Sequence, residues 1–306
     1  MNKRSSIALI LTGLMLAFVG CTTVPETGRS QLIMVSSKDE VQMGLAAFKQ
    51  IKNEEKISTN VMAIDRVETV GRRIAASVGR SLPDAKWEFV VFDSDDLNAF
   101  ALPGGKVGVY TGLLALAESD DELAAVMGHE IAHLSSRHSA ERMSQQMVAG
   151  LTTAGAEVYM KSQDVDHKNR AIVRGALGVG TTVGVMLPFS RLHESEADVI
   201  GLKFAAGAGY DPRAAVTFWQ KMKAASGDEG QPPEFLSTHP SPDNRIARLK
   251  QIAPELLPIY REAKKKFEAM EMEMEPVTGR EIGANPGKSP PPPPEASPSA
   301  FPKYQM

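Results

Sequence analysis

The chain has a single cysteine, Cys21, in 306 residues. Without a second thiol no disulfide can staple the fold, and no thiolate cluster can hold a metal. Charge of one sign is also lacking: 34 Lys and Arg stand against 37 Asp and Glu, with no basic block, which argues against a nucleic-acid partner. There is no internal repeat. There is no Gly-x-Ser-x-Gly elbow and no candidate catalytic cysteine, so nothing suggests a covalent acyl intermediate. The apolar run from Ile7 to Val19 is too short to read as a membrane span.

What is present centres on His129-Glu130-Ile131-Ala132-His133. An α-helix turns about 100° per residue, so His129 and His133 lie on one face, one turn apart. Two imidazoles at that spacing can grip one Zn²⁺, and the Glu between them can act as base toward water at the metal. By chance the pattern arises in roughly one chain in a hundred of this length, so its surroundings must decide. Ser119-Asp120-Asp121-Glu122 reads as a capping box, and the acidic first turn suits the helix dipole. Gly128 costs about 1 kcal/mol against Ala inside a helix. Its missing side chain suits either a backbone approaching the metal site or close packing of a buried helix.

A catalytic zinc needs a third protein ligand and an open position. If the helix continues, His138 lies roughly 180° from His129 and 140° from His133, out of reach of the same ion. It is expected on the surface or behind a ligand, and His167 is expected to be solvated. Glu194 and Asp198 are four apart and share a helical face. A Glu194 ligand with Asp198 orienting an imidazole makes a coherent His₂Glu site; the competing reading is a solvated acidic face. Glu196 points about 160° away from that site. His239 sits in a proline-flanked turn, where most histidines are surface residues, and Arg245 alone reads as an exposed base.

Gly128 to His133, Ser190 to Asp198 and Ser237 to Pro240 resemble three blocks of the HExxH gluzincin metallopeptidases. This group holds the CAAX prenyl protease, HtpX, the Oma proteases and the periplasmic lipoprotein metalloproteases of the BepA and LoiP kind. The last are nearest. Leu97 to Gly105 resembles the stretch before the metal helix, and the likeness runs over roughly residues 26 to 250. The resemblance implies His129, His133 and Glu194 as ligands of one zinc ion, Glu130 as general base and Asp198 behind the ligands. It implies that His239 and Arg245 lie near the metal and steady the oxyanion; in some periplasmic members that His instead ligates zinc and holds the enzyme off. The mechanism so implied is Glu-assisted attack of water on the scissile carbonyl, with proton delivery to the leaving amine.

Trp87 to Phe92 is dense in β-formers, and Asn98 to Leu102 and Lys106 to Tyr110 flank the turn Pro103-Gly104-Gly105. An edge strand there, with Asn98, Ala99, Phe100 and Ala101, can bind an extended peptide by strand addition. The alternative is a hairpin that only supports the core. Val67, Val70, Ile74 and Val78 mark a helix over 61–78, and another is expected over 39–52. Asp211-Pro212 reads as a helix start running to Met222. The apolar, Gly-rich stretch 171–189 reads as a buried helical hairpin near the site, with a membrane-dipping or lid element as the alternative.

Lys3, Arg4 and the apolar run form a signal peptide over 1–20. Phe18-Val19-Gly20-Cys21 looks like a lipobox, with Cys21 acylated and Thr22 favouring the outer membrane of a Gram-negative bacterium. A tether over 21–35, a peptidase domain over 36–253, a charged helix over 254–275 and a Pro-rich disordered tail over 276–306 follow. The expected fold is α+β, mainly helical, with a small sheet whose edge strand faces the site. The expected activity is zinc-dependent endopeptidase action on misfolded or stalled envelope polypeptides in the periplasm. The alternative is a latent protease acting as a chaperone-like assembly factor; a weaker third is a hydrolase of cell-wall peptides.

Overall fold

The computed structural model describes residues 21–82, 85–162, 189–225, 234–239 and 242–274. The expected signal peptide, His167, the stretch 171–188 and the Pro-rich tail lie outside the described residues.

A short antiparallel hairpin opens the structure, β1 (Cys21–Thr23) with β2 (Ser30–Leu32). Residues 21–35, expected as a tether, carry this hairpin. Val24 is fully buried in the main core, and Arg29 is anchored by ion pairs to the rest of the domain. Two helices follow, α1 (Ser37–Glu54) and α2 (Val61–Val78). Asn60 caps α2, its Oδ1 accepting from the amides of Met62 at 3.1 Å and Ala63 at 3.2 Å. Val67, Val70, Ile74 and Val78 all face the core, as their three- and four-residue steps require.

The sheet has three strands: β3 (Glu88–Phe92), β4 (Ala99–Leu102) and β5 (Lys106–Tyr110). Their order is β3-β5-β4, with β5 parallel to β3 and antiparallel to β4. The β4–β5 turn runs through Gly104 at φ 91° and Gly105 at φ 77°, a backbone that side chains resist. β4 is an edge strand that packs on the metal helix. Its alternation puts Ala99 and Ala101 toward the core, while Phe100 packs among Phe48, Phe92 and Tyr110.

The remaining elements are helical: α3 (Thr111–Leu116), α4 (Asp120–Ser135), α5 (His138–Ser162), α6 (Arg191–Gly207), α7 (Ala214–Ala225), α8 (Glu234–Thr238), α9 (Pro242–Ile252) and α10 (Leu257–Met274). α7 starts later than the Asp211-Pro212 signal suggests. The Asp211 carboxylate instead accepts from the Arg213 amide at 2.9 Å, forming a turn before the helix. α4 is buried on every side from Glu122 to Ser135, and α6 is nearly so from His193 to Ala206. Both are buried nearly all round although they carry charged and polar groups, and they pack against each other at the centre of the core. Among the described residues no helix is long and apolar enough to cross a membrane.

Candidate metal centre

The metal helix α4 starts where its cap chemistry dictates. Ser119 Oγ accepts from the Glu122 amide at 3.2 Å. The other half of the expected capping box is displaced by one residue: Glu122 accepts from the amide of Glu118, at 2.8 Å, and pairs with Lys221. One turn of helix then sets His129 and His133 with their Nε2 atoms 3.0 Å apart. α6 is capped by Ser190, whose hydroxyl accepts from the His193 amide at 3.1 Å, and carries Glu194 and Asp198 on one face.

The two helices bring these groups together. Glu194 Oε1 lies 3.3 Å from His133 Nε2, and Oε2 lies 3.5 Å from His129 Nε2. His239, just past the end of α8, brings Nδ1 to 3.0 Å from Glu194 Oε1 and 3.3 Å from His129 Nε2. His129, His133, Glu194 and His239 form the one buried group of possible metal donors among the described residues. Bonds of about 2.0 Å in a tetrahedral zinc site put donors about 3.3 Å apart. With one donor atom from each residue the four lie within 4.8 Å of one another, close enough to converge on one ion, and three imidazoles and a carboxylate suit zinc in chemistry. His239 is thus buried among possible donors, not exposed in a surface loop.

Glu130 lies beside this group. Among the described residues its Oε1 has no hydrogen-bond partner and is 3.4 Å from His239 Nε2. Burial pushes its carboxyl up to about 7; His239 opposes the shift and the Glu194 charge adds to it. Burial holds the His133 imidazolium unfavourable, lowering its pKa well below the ordinary range. Burial works against ionised Glu194, yet Arg245 and His239 outweigh it and hold the carboxylate below its ordinary range.

Behind the donors stand two polar assemblies. Asp198 Oδ1 is 3.1 Å from His129 Nδ1, and a proton held there leaves Nε2 bare toward the other donors. Arg245 is no exposed base. Its Nε donates to Asp198 Oδ2 at 2.9 Å and its Nη2 to Oδ1 at 2.7 Å, while Nη1 lies 2.7 Å from Glu194 Oε2. The guanidinium lies over the Trp219 ring, 3.6 Å from its centroid.

The second assembly lies behind His133. α4 does not continue into α5: Arg137 takes φ 54°, and the turn swings His138 inward. His138 is fully buried, with Nδ1 2.9 Å from His133 Nδ1 and Nε2 3.0 Å from Glu196 Oε2. It is therefore behind a donor and not on the surface. Glu196 does point away from the donors, as rotation requires, but it is buried against Thr27, Arg29 and His138. Arg29, Glu141 and His193 join the same assembly and carry no local sequence signal of doing so.

Aromatic rings close the site. Phe189 stacks near His133, with centroids 4.0 Å apart, and Phe235 stacks on His239 at 4.5 Å. Asn98, Ala99, Phe100 and Ala101 lie on or beside edge strand β4. Cys21 opens β1, and the segment before it lies outside the described residues.

Residues 63–253 match the model of Peptidase family M48. Over 252 residues the chain is 37% identical to the mitochondrial metalloendopeptidase OMA1 of Schizosaccharomyces pombe, covering 81% of this chain and 71% of that protein. Over 273 residues it is 29% identical to the β-barrel assembly-enhancing protease of Escherichia coli K12, covering 87% of this chain. It spans only 55% of that relative's length. It is 34% identical to the mitochondrial metalloendopeptidase OMA1 of Bos taurus over 249 residues, 77% of this chain and 46% of that protein. With its buried cluster of three imidazoles and a carboxylate, the chain belongs to peptidase family M48 and is a zinc-dependent metalloendopeptidase.

Proposed function

We propose that the chain hydrolyses peptide bonds of misfolded or stalled cell-envelope polypeptides, with His129, His133 and Glu194 holding zinc and Glu130 as general base. The observation that carries this reading is the convergence of α4 and α6, which sets Glu194 within 3.3 Å of His133 and 3.5 Å of His129 while Glu130 stands beside them. Bound zinc supplies Lewis acidity, polarising the scissile carbonyl and lowering the pKa of water toward about 7. Glu130 takes the proton from the attacking water and passes it to the leaving amine. Asp198 holds the His129 ring, and Arg245 holds Asp198 and Glu194 in place. Arg245 supplies positive charge, and His239 a ring N–H, beside the developing oxyanion. The aromatic rings of Phe189, Trp219 and Phe235 keep bulk water from the reacting groups.

Edge strand β4 supports a mode of substrate binding. An extended peptide adds to the free edge at Asn98, Ala99, Phe100 and Ala101, using main-chain hydrogen bonds and few side chains. Such binding favours unfolded chain over any one sequence. The E. coli relative, a β-barrel assembly-enhancing protease, supports a place in the bacterial envelope. Lipid attachment at Cys21, in the periplasm and on the outer membrane, belongs to the same proposal. The two relatives called OMA1 are mitochondrial.

One observation favours a latent form of the same enzyme. His239 Nδ1 stands where a fourth donor would, 3.0 Å from Glu194 Oε1 and 3.3 Å from His129 Nε2. A fourth protein donor leaves no open position for water. In that state the chain acts as a chaperone-like assembly factor until His239 moves.

The test is cleavage of an unfolded protein by the chain from Thr22 onward, with and without chelator, with zinc added back, and with Glu130→Gln. Zinc-restored cleavage that Glu130→Gln lacks is the expected result. Wild type that neither cleaves nor binds zinc would overturn the assignment.

A further inference from the structure

The ion cluster behind His133 has no part in the chemistry just described, yet it touches a proposed ligand through one intermediary. Arg29 follows β1 in the N-terminal hairpin, and its guanidinium reaches two buried carboxylates that come from different helices. Its Nη1 and Nη2 donate to Glu141 Oε1 and Oε2 on α5, at 2.9 and 2.7 Å. Its Nε donates to Glu196 Oε2 on α6 at 2.8 Å. Thr27 Oγ1 donates to the other oxygen of Glu196. A buried carboxylate without a partner is costly, and two side by side are costlier. A planar guanidinium with donors on several edges is suited to neutralising both at once.

The cluster also settles protons. Glu196 accepts from Thr27 and from Arg29, and on the same oxygen as Arg29 it meets His138 Nε2 at 3.0 Å, so His138 presents Nε2–H to it. A neutral imidazole with its proton on Nε2 has a bare Nδ1. His138 Nδ1 therefore accepts from His133 Nδ1, 2.9 Å away. That leaves the bare nitrogen of His133 as Nε2, the atom that faces His129 and Glu194. His193 steadies the arrangement, stacking on the His138 ring at 4.4 Å while its Nε2 lies 3.1 Å from Glu141 Oε2.

We propose that Arg29 is a positioning residue of the metal centre: by fixing the Glu196 carboxylate against His138, it sets the orientation and tautomer of His138 and so keeps His133 Nε2 turned toward the zinc site. This rests on the assignment of His133 as a ligand. The N-terminal hairpin is then part of the site's outer support, joined to it across 167 residues of sequence.

The experiment uses the full chain in detergent and measures zinc affinity by competition with a chromophoric chelator. The visible spectrum of the Co²⁺-loaded protein is read beside it. Partners behind a metal ligand typically affect metal affinity about 10- to 100-fold. Arg29→Ala is expected to weaken zinc binding by that factor, shift the Co²⁺ bands, and lower kcat with KM little changed. Arg29→Lys, which keeps charge but loses the fork, should fall between. Arg66→Ala serves as control. It removes an ion pair with Asp120 and a bond to the Ala117 carbonyl at the far end of α4, and should leave zinc affinity unchanged. Should Arg29→Ala not fold, Arg29→Lys and Glu196→Gln carry the test, since each keeps most of the buried volume. Folded Arg29→Lys and Glu196→Gln with wild-type zinc affinity and Co²⁺ spectrum would overturn the inference. Equal zinc binding by His133→Ala and wild type would instead overturn the ligand assignment beneath it.

Discussion

Gly128 and Gly201 meet where α4 crosses α6: a Cβ on Gly128 would stand 2.6 Å from the Gly201 carbonyl oxygen, and one on Gly201 2.6 Å from the His129 amide nitrogen. Both sequence-based readings of Gly128 describe this contact. The backbone that approaches belongs to the helix packed in the core, and the same helix brings Glu194 to the imidazoles. Ala on an open helix face gains about 1 kcal/mol over Gly. Here Gly201→Ala is expected to destabilise by about 1–3 kcal/mol, because backbone must move to admit the methyl. Thermal melting measures this, and zinc content should fall with it as Glu194 draws away from His129. A melting temperature at or above wild type would mean the crossing is looser than described.

Glu130→Gln removes the proposed base while keeping the volume of the side chain. Cleavage of an unfolded substrate is expected to fall by about 10²–10⁴-fold, the usual worth of a positioned base. Zinc content should stay at the wild-type level, because Glu130 is not among the donors. Loss of zinc together with activity would move Glu130 from base to structural support.

His239→Ala separates the latent reading from a purely catalytic one. If His239 holds the fourth position, its removal weakens zinc binding and raises cleavage, as a place for water opens. The latent reading expects this rise, measured as turnover of unfolded protein at saturating zinc. A fall in kcat with zinc affinity kept would assign His239 to the oxyanion alone.

Stability against acid should depend on Glu141. Burial works against its charge, but His193 and Arg29 prevail and lower its pKa from 4.5 to about 2. A carboxylate depressed in the folded state stabilises fully above its unfolded value and ceases to do so as pH falls through its folded value. The fold should therefore lose stability between about pH 4.5 and 2. In Glu141→Gln this part of the decline should be absent, with lower stability at neutral pH. Denaturant unfolding across that range is the measurement, and parallel curves for the two proteins would contradict the assignment.

Local features were legible in the sequence and distant pairings were not. The Ser119 cap, the His129 and His133 spacing, the Val67 to Val78 stripe and the Pro103-Gly104-Gly105 turn each depend on neighbours a few residues away. All four appear where local chemistry puts them. The placement of His138 required knowing that Arg137 would take φ 54°, because rotation arithmetic holds only while a helix continues. Arg245 taken alone read as an exposed base, because its partner Asp198 lies 47 residues away, and only the family resemblance placed it near the metal. Arg29 and Glu141 gave no signal, since nothing within one helical turn of either distinguishes it from a surface charge. The segment 21–35 read as a tether for the same reason: its anchor is a set of acids on α5 and α6.

The proposed ligands are far apart along the chain, and this orders events during synthesis. A chain growing from its N-terminus presents His129, Glu130 and His133 first, with no carboxylate donor yet made. Glu194 follows, and His239 only 110 residues after His129. Domains tend to fold as units once their sequence is available. Chain halted before α6 therefore carries two imidazoles and a base but cannot form the three-donor set, so a truncated product is not a stray protease. Chain halted between α6 and α8 holds the three proposed ligands but lacks Arg245, which pairs with Glu194 and Asp198, and the core residues Phe235 and Leu249, so the site is complete only when the whole domain is made.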